Sequence, residues 1–177
     1  MIGQIFLDSV LKRFAYYKSL GDKTLAELNG EQLHWQPEGE PNSICLIVKH
    51  VSGNMHSRWT DFLHADGEKP WRNRDMEFEE DQTSAEEIIK LWESGWKCMM
   101  DAIEALQPED LEKTVYIRSE PHIVLDAINR QLSHIPYHVG QIVYIGKMIK
   151  KSDWKSLSIP KGQSQAFNQD MFGKKQQ

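Results

Sequence analysis

Apolar side chains recur at Ile2, Ile5, Phe6, Val10, Phe14 and Tyr17, a spacing that gathers them on one stripe of an α-helix. The pattern extends to about residue 29, and Gly21 is expected to mark a break or kink in it. Three later segments carry the same period. The second runs from about Ser43 to Leu63, capped by Asn42 or Ser43. The third, TSAEEIIKLWESGWKCMMDAIEAL, opens on a capping box formed by Thr83 and Glu86 or by Ser84 and Glu87. The fourth runs from about His122 to Lys150. Four long amphipathic helices with little strand predict an all-α chain, a four-helix bundle.

The connections refine that expectation. HADGEKPWRNRDMEFEEDQ, between the second and third helices, is too long for a tight turn and predicts a crossover. Loops of this length in compact domains are often functional. EKTVYIRSEP alternates, as a short strand or extended link would. The tail WKSLSIPKGQSQAFNQDMFGKKQQ has no period and is expected to drape irregularly over the bundle. Residues 1–168 therefore read as one domain and 169–177 as a disordered C-terminus.

With 177 residues, 40% of them hydrophobic, the chain can enclose one real core. Its net charge of −5, without a concentrated Lys/Arg stripe, excludes nucleic acid as an expected partner. Lys147, Lys150, Lys151 and Lys155 suit a helix C-terminus instead. Cys45 and Cys98 form no CxxC pair and are expected as buried free thiols in a reducing cytoplasm. Asp8 interrupts the apolar opening, so no signal peptide is read there, and no stretch approaches the roughly 18 apolar residues of a membrane span. A cytoplasmic protein without a membrane partner is expected.

The chemistry concentrates in LSHIPYHVGQI, residues 132–142. His134 and His138 stand one helical turn apart, with Pro136 between them. Proline inside a helix costs about 3 kcal/mol, removes a hydrogen bond and bends the axis. On a helical wheel Pro136 points about 160° away from either histidine, so a kinked helix with both imidazoles inward is expected. Gln131 and Gln141 share their face, together with Ala127, Ile145 and Met148. Two inward imidazoles at this spacing can hold one divalent ion as neutral donors. Core packing is the competing explanation. A third ligand would come from His34, His50, His56, His64, His122 or a carboxylate. His34 and His64 lie at or beyond helix ends, His122 starts the fourth helix three turns from His134, and the second helix offers both His50 and His56. His50 borders the apolar stripe and shares a ridge with Asn54 and Arg58, so periodicity leaves the choice open. HExxH, paired ExxH, EF-hand, GxSxG and phosphate-loop motifs are absent.

HIPYHVGQI resembles the HxxxHxGQ signature of the DinB/YfiT-like metalloenzyme superfamily. SICLIVKHVSGNMHSRWTDFL, DGEKPWRNRD and DWKSLSIPKGQSQAFN resemble its DUF1572 branch, over about residues 5–168. The resemblance implies a DinB-like four-helix bundle, often a homodimer, with one divalent ion, nickel or zinc, held by His50, His134 and His138. It also implies reactions that use low-molecular-weight thiols of the bacillithiol type.

Three neutral imidazoles leave an ion open to a further ligand, as catalytic zinc sites do. The expected function is thus a metal-dependent enzyme acting on a small molecule, with a thiol S-transferase as the leading reading. Gln141 would orient His138 or the ligand opposite it. Asn54 and Arg58 would bind an anionic group of thiol or substrate. No Asp or Glu is placed as a general base, so no catalytic residue is assigned and a hydrolase ranks second. A non-enzymatic metal-binding bundle is the remaining alternative.

Overall fold

The first helix, α1 (Ile2–Leu25), passes through Gly21 without the expected break. Gly21 serves packing: a Cβ there would lie 2.3 Å from Trp92 Cζ2. The bare backbone lets the indole lie against the helix, and Trp92 Nε1 donates to the neighbouring Asp22 at 2.7 Å. This is a computed structural model that describes residues 2–39 and 42–174.

A single turn, α2 (Gly30–Leu33), is closed by a reciprocal Asn29–Gln32 capping box. Ser43 then caps α3 (Ile44–Trp59) by accepting from Leu46 N–H, and Ser84 with Glu87 forms the capping box of α4 (Ala85–Glu104). In each case the structure selects the second of the two caps the sequence offered. α3 stops short of Leu63 because Thr60 turns extended and Asp61 takes a φ of 51°.

The alternating segment folds as a hairpin of β1 (Thr114–Ile117) and β2 (Glu120–Ile123), antiparallel with Thr114 opposite Ile123. The helix expected from His122 therefore begins at Val124, and residues 120–123 are strand. The cause is tertiary. Asp66 accepts from the N–H groups of Arg118 (2.8 Å) and Ser119 (2.7 Å), pinning a turn in which both residues have positive φ. The Gly67 N–H bonds Tyr116 O at 2.8 Å, so the long connection and the hairpin are fastened together.

α5 (Val124–Lys150) runs unbroken through Pro136. Its deepest face is Ile128, Ile135, Val139 and Ile142. His134 and His138 lie half-buried at the margin of that face rather than at its centre, and Met148 is exposed instead of inward. α6 (Ser164–Lys174) is helical where the tail showed no period. The sequence carries no signal for it because the side chains of 164–173 are exposed and no apolar stripe is needed. Of the C-terminal segment expected to be disordered, 175–177 lie outside the described residues.

α3 packs on α4 and α1 on α5, while contacts between α1 and α4 and between α3 and α5 close the ring. Phe14, Trp92, Trp96 and Ile135 fill it. The chain is mostly helical, with one two-stranded sheet among the described residues. Cys45 is a buried free thiol as expected, whereas Cys98 is free but half-buried. Among the described residues no helix is long and apolar enough to cross a membrane. The α3–α4 connection folds back across α3 through a 3₁₀ turn at Asp75–Phe78, and this return positions the site.

Candidate metal centre

His50 on α3 and His134 and His138 on α5 bring their imidazoles to one point. His50 Nε2 lies 3.3 Å from His134 Nε2, which lies 3.2 Å from His138 Nε2. The ligand atoms all fall within 4.8 Å of one another. Nitrogens bound at about 2.0–2.1 Å to a tetrahedral ion stand about 3.3–3.4 Å apart, so two edges of the triangle already have the span of a shared cation. His56, the other candidate on α3, turns away and bonds Ser94 Oγ at 3.1 Å. His34 and His122 are engaged elsewhere, with Glu80 and Asp126 respectively.

The opposite ring edges decide which nitrogen carries the proton. Glu77 Oε2 accepts from His50 Nδ1–H at 2.9 Å. Burial pushes the Glu77 carboxyl up, but hydrogen bonds from His50 and Arg72 outweigh it and hold the group below the usual carboxylate range. An ionised carboxylate can only accept, so Nδ1 of His50 carries a proton, and in the neutral ring Nε2 then offers a lone pair. His138 Nδ1–H donates to Gln141 Oε1 at 2.8 Å, with the same result. Both lone pairs converge on His134 Nε2, which has at most one proton to share between them. Such a donor set suits a cation. His134 Nδ1 is buried and lacks a hydrogen-bond partner among the described residues.

Burial is also the largest influence holding His134 and His138 neutral. It drives His134 down to about 3, helped by repulsion from His138 and His50, and it lowers His138 despite the opposing effect of the hydrogen bond His138 donates to Gln141. Neutral imidazole is the form that binds metal. Among the described residues, His50, His134 and His138 are the group of potential ligands close enough to hold an ion, and this group could hold one.

Beside the centre opens a cavity of about 420 Å³, within the range of small-molecule sites. His50 and His134 face it, as do Asn54 and Arg58. Asn54 Oδ1 accepts from Gln131 at 3.2 Å, and Arg58 donates to Gly67 O and to Glu68. Gln141 stands behind His138 and is not part of the cavity wall.

Sequence reasoning missed Glu77 and Arg72. Arg72 binds Glu77 through Nε (2.7 Å) and a terminal nitrogen (2.9 Å), with only 2% of its side chain exposed. Nothing in the run DMEFEED distinguishes Glu77 from Glu79 or Glu80. One signal was available at Gly53, a helix-interior glycine three positions after His50. A Cβ there would meet Glu77 Oε1 at 2.2 Å, so its absence admits the carboxylate.

A family model described as a protein of unknown function, DUF1572, matches residues 1–163. The chain belongs to the DUF1572 family. No curated protein and no solved structure matches this DUF1572 chain.

Proposed function

We propose that this DUF1572 protein is a metal-dependent enzyme in which His50, His134 and His138 hold one divalent ion, nickel or zinc, and that it is an S-transferase joining the sulfur of a low-molecular-weight thiol of the bacillithiol type to a small-molecule electrophile, the thiol giving up its proton and the electrophile its leaving group. The observation that carries the reading is the convergence of three Nε2 atoms while Glu77 and Gln141 keep two of the Nδ1 protons on the far side. An ion bound there supplies Lewis acidity, lowering the pKa of water or a thiol.

The chain's own groups prepare that chemistry. Glu77 and Gln141 fix the tautomers, and burial keeps His134 uncharged. Trp59, Phe62 and Ile117 give the cavity apolar wall that limits water. Asn54 and Arg58 present polar groups to it. No Asp or Glu lines the cavity among the described residues, and Glu77 is spent on His50 and Arg72. With no carboxylate in the described wall to take a proton from water, the site favours the more acidic thiol as nucleophile over water.

The same reading takes the closed ring of α1, α3, α4 and α5 as a DinB-like four-helix bundle, with the α3–α4 connection as its crossover and residues 1–168 as its one domain. It takes the protein as a cytoplasmic homodimer. Tyr137, Tyr144 and Met148, exposed along α5, offer a surface for the second copy.

Protein purified without an affinity tag should contain about one equivalent of nickel or zinc, and less than about a tenth of an equivalent would sink the proposal. His50→Ala, His134→Ala and His138→Ala should each abolish binding, while His56→Ala should retain it. The metal-loaded protein is then screened with thiols and electrophiles. Full metal with no turnover on any thiol would move the assignment to a non-enzymatic metal-binding protein.

A further inference from the structure

Five of the chain's six arginines line the cavity beside the imidazoles: Arg58, Arg72, Arg74, Arg118 and Arg130, with only Arg13 elsewhere. This is a strong local excess in a chain of net charge −5. Two carboxylates offset part of it. Glu77 takes Arg72, and Glu68 is shared by Arg118 (2.9 Å) and Arg58 (3.4 Å). Asp66, which accepts from the Arg118 N–H and attracts Arg58, offsets more of it, and a positive surplus remains around a space that no acid lines among the described residues.

Arg74 and Arg130 have no carboxylate partner among the described residues. Arg74 lies over the Phe78 ring, 5.3 Å from its centroid, and Phe78 is 4.9 Å from the His50 ring. The cation–π contact fixes the guanidinium near the metal centre without using its N–H donors. Arg130 stands one helical turn before His134 on α5. The two free cations thus flank the imidazole cluster from separate elements.

We propose that the cavity takes a substrate bearing a carboxylate or phosphate group, which Arg74 and Arg130 grip while the reacting end faces His50 and His134. The guanidinium fork matches the oxygen spacing of either anion. Arg58, the anion-binding candidate suggested by its ridge with His50, also lines the cavity and donates to Gly67 O and Glu68. Surplus positive charge in a walled cavity also raises the local concentration of an anion before contact.

The inference rests on the metal-centre reading for the position of the reacting end, but anion binding is measurable separately. Zinc-loaded full-length protein is titrated calorimetrically with succinate, phenyl phosphate and neutral succinamide. Succinate or phenyl phosphate should bind and succinamide should not. The tighter anion identifies the group. Arg130→Gln and Arg74→Gln should each weaken that binding about tenfold, the loss of a charge-assisted hydrogen bond, with Arg13→Gln unchanged. Both arginines are exposed, and matching circular dichroism and unfolding midpoints would verify the fold of each variant. The proposal is overturned if neither anion outbinds succinamide, or if both variants stay within about twofold of the parent. Repeating the titration on chelator-treated protein separates the two readings. Zinc at one equivalent without anion binding removes only this inference. Arginine-dependent anion binding in a protein that takes up no zinc removes only the metal centre.

Discussion

Glu77 Oε2 and His50 Nδ1 meet at 2.9 Å across 27 positions of sequence, joining the long α3–α4 connection to the imidazole cluster. On its other side Glu77 receives Arg72 through two nitrogens, so an ion pair with little exposure stands behind one of the three candidate ligands. This arrangement makes the connection part of the site.

Removing the carboxylate should therefore damage both fold and site. Glu77→Ala strands Arg72, buried and unpaired, at about 3 kcal/mol. It also frees His50 to rotate and change tautomer, and losing such a partner weakens metal affinity about 10–100-fold. Urea unfolding and zinc competition against a chromophoric chelator read the two effects. Glu77→Gln keeps an acceptor of the same size and should lose less of each. Unchanged zinc affinity in Glu77→Ala would show that His50 needs no support.

Gly53→Ala sets helix propensity against the site. In an exposed helix interior, alanine would gain about 1 kcal/mol. Here its Cβ would meet Glu77 Oε1 at 2.2 Å. We expect the variant to lose stability and to bind zinc more weakly, following Glu77→Ala in direction. A more stable Gly53→Ala with unchanged zinc affinity would refute the packing role.

Burial lowers His134 to about 3 in the folded chain, against an ordinary value near 6.5 when unfolded. Between those values the unfolded chain binds more protons, so stability rises with pH. The full benefit is present above about pH 6.5 and disappears as pH falls toward 3. Urea midpoints of chelator-treated protein should fall between pH 6.5 and 5, before most carboxylates titrate. His134→Gln should flatten that slope. An equal slope in the variant would assign the effect to other groups.

Ser119 holds a φ of 64° in the two-residue turn between β1 and β2. A left-handed backbone strains any residue with a Cβ, by about 1–2 kcal/mol. Ser119→Gly should relieve some of it and raise the thermal midpoint by a few degrees, keeping the backbone N–H that Asp66 accepts. Differential scanning calorimetry tests this, and a lowered midpoint would count against it.

The local code of the chain determined its long helices. The 3.6-residue period of Ile2, Phe6, Val10 and Phe14, the Ser43 cap and the Ser84–Glu87 box act within a turn or two of chain, so they can be read without knowing what lies opposite. The four-residue spacing of His134 and His138 is local in the same sense. Periodicity could not choose between His50 and His56, because that choice depends on which face of α3 meets α5. Resemblance to related sequences supplied the preference for His50. Tertiary structure decided the rest. It made Gly21 a seat for Trp92 instead of a kink, and turned His122 into strand because Asp66 captures the hairpin turn. It also picked Glu77 from a run of similar acids by bringing it over Gly53 to His50. These contacts join positions tens of residues apart, and neither partner carries a local mark of the other. Periodicity records only that a side chain faces inward, whereas packing decides what it meets there.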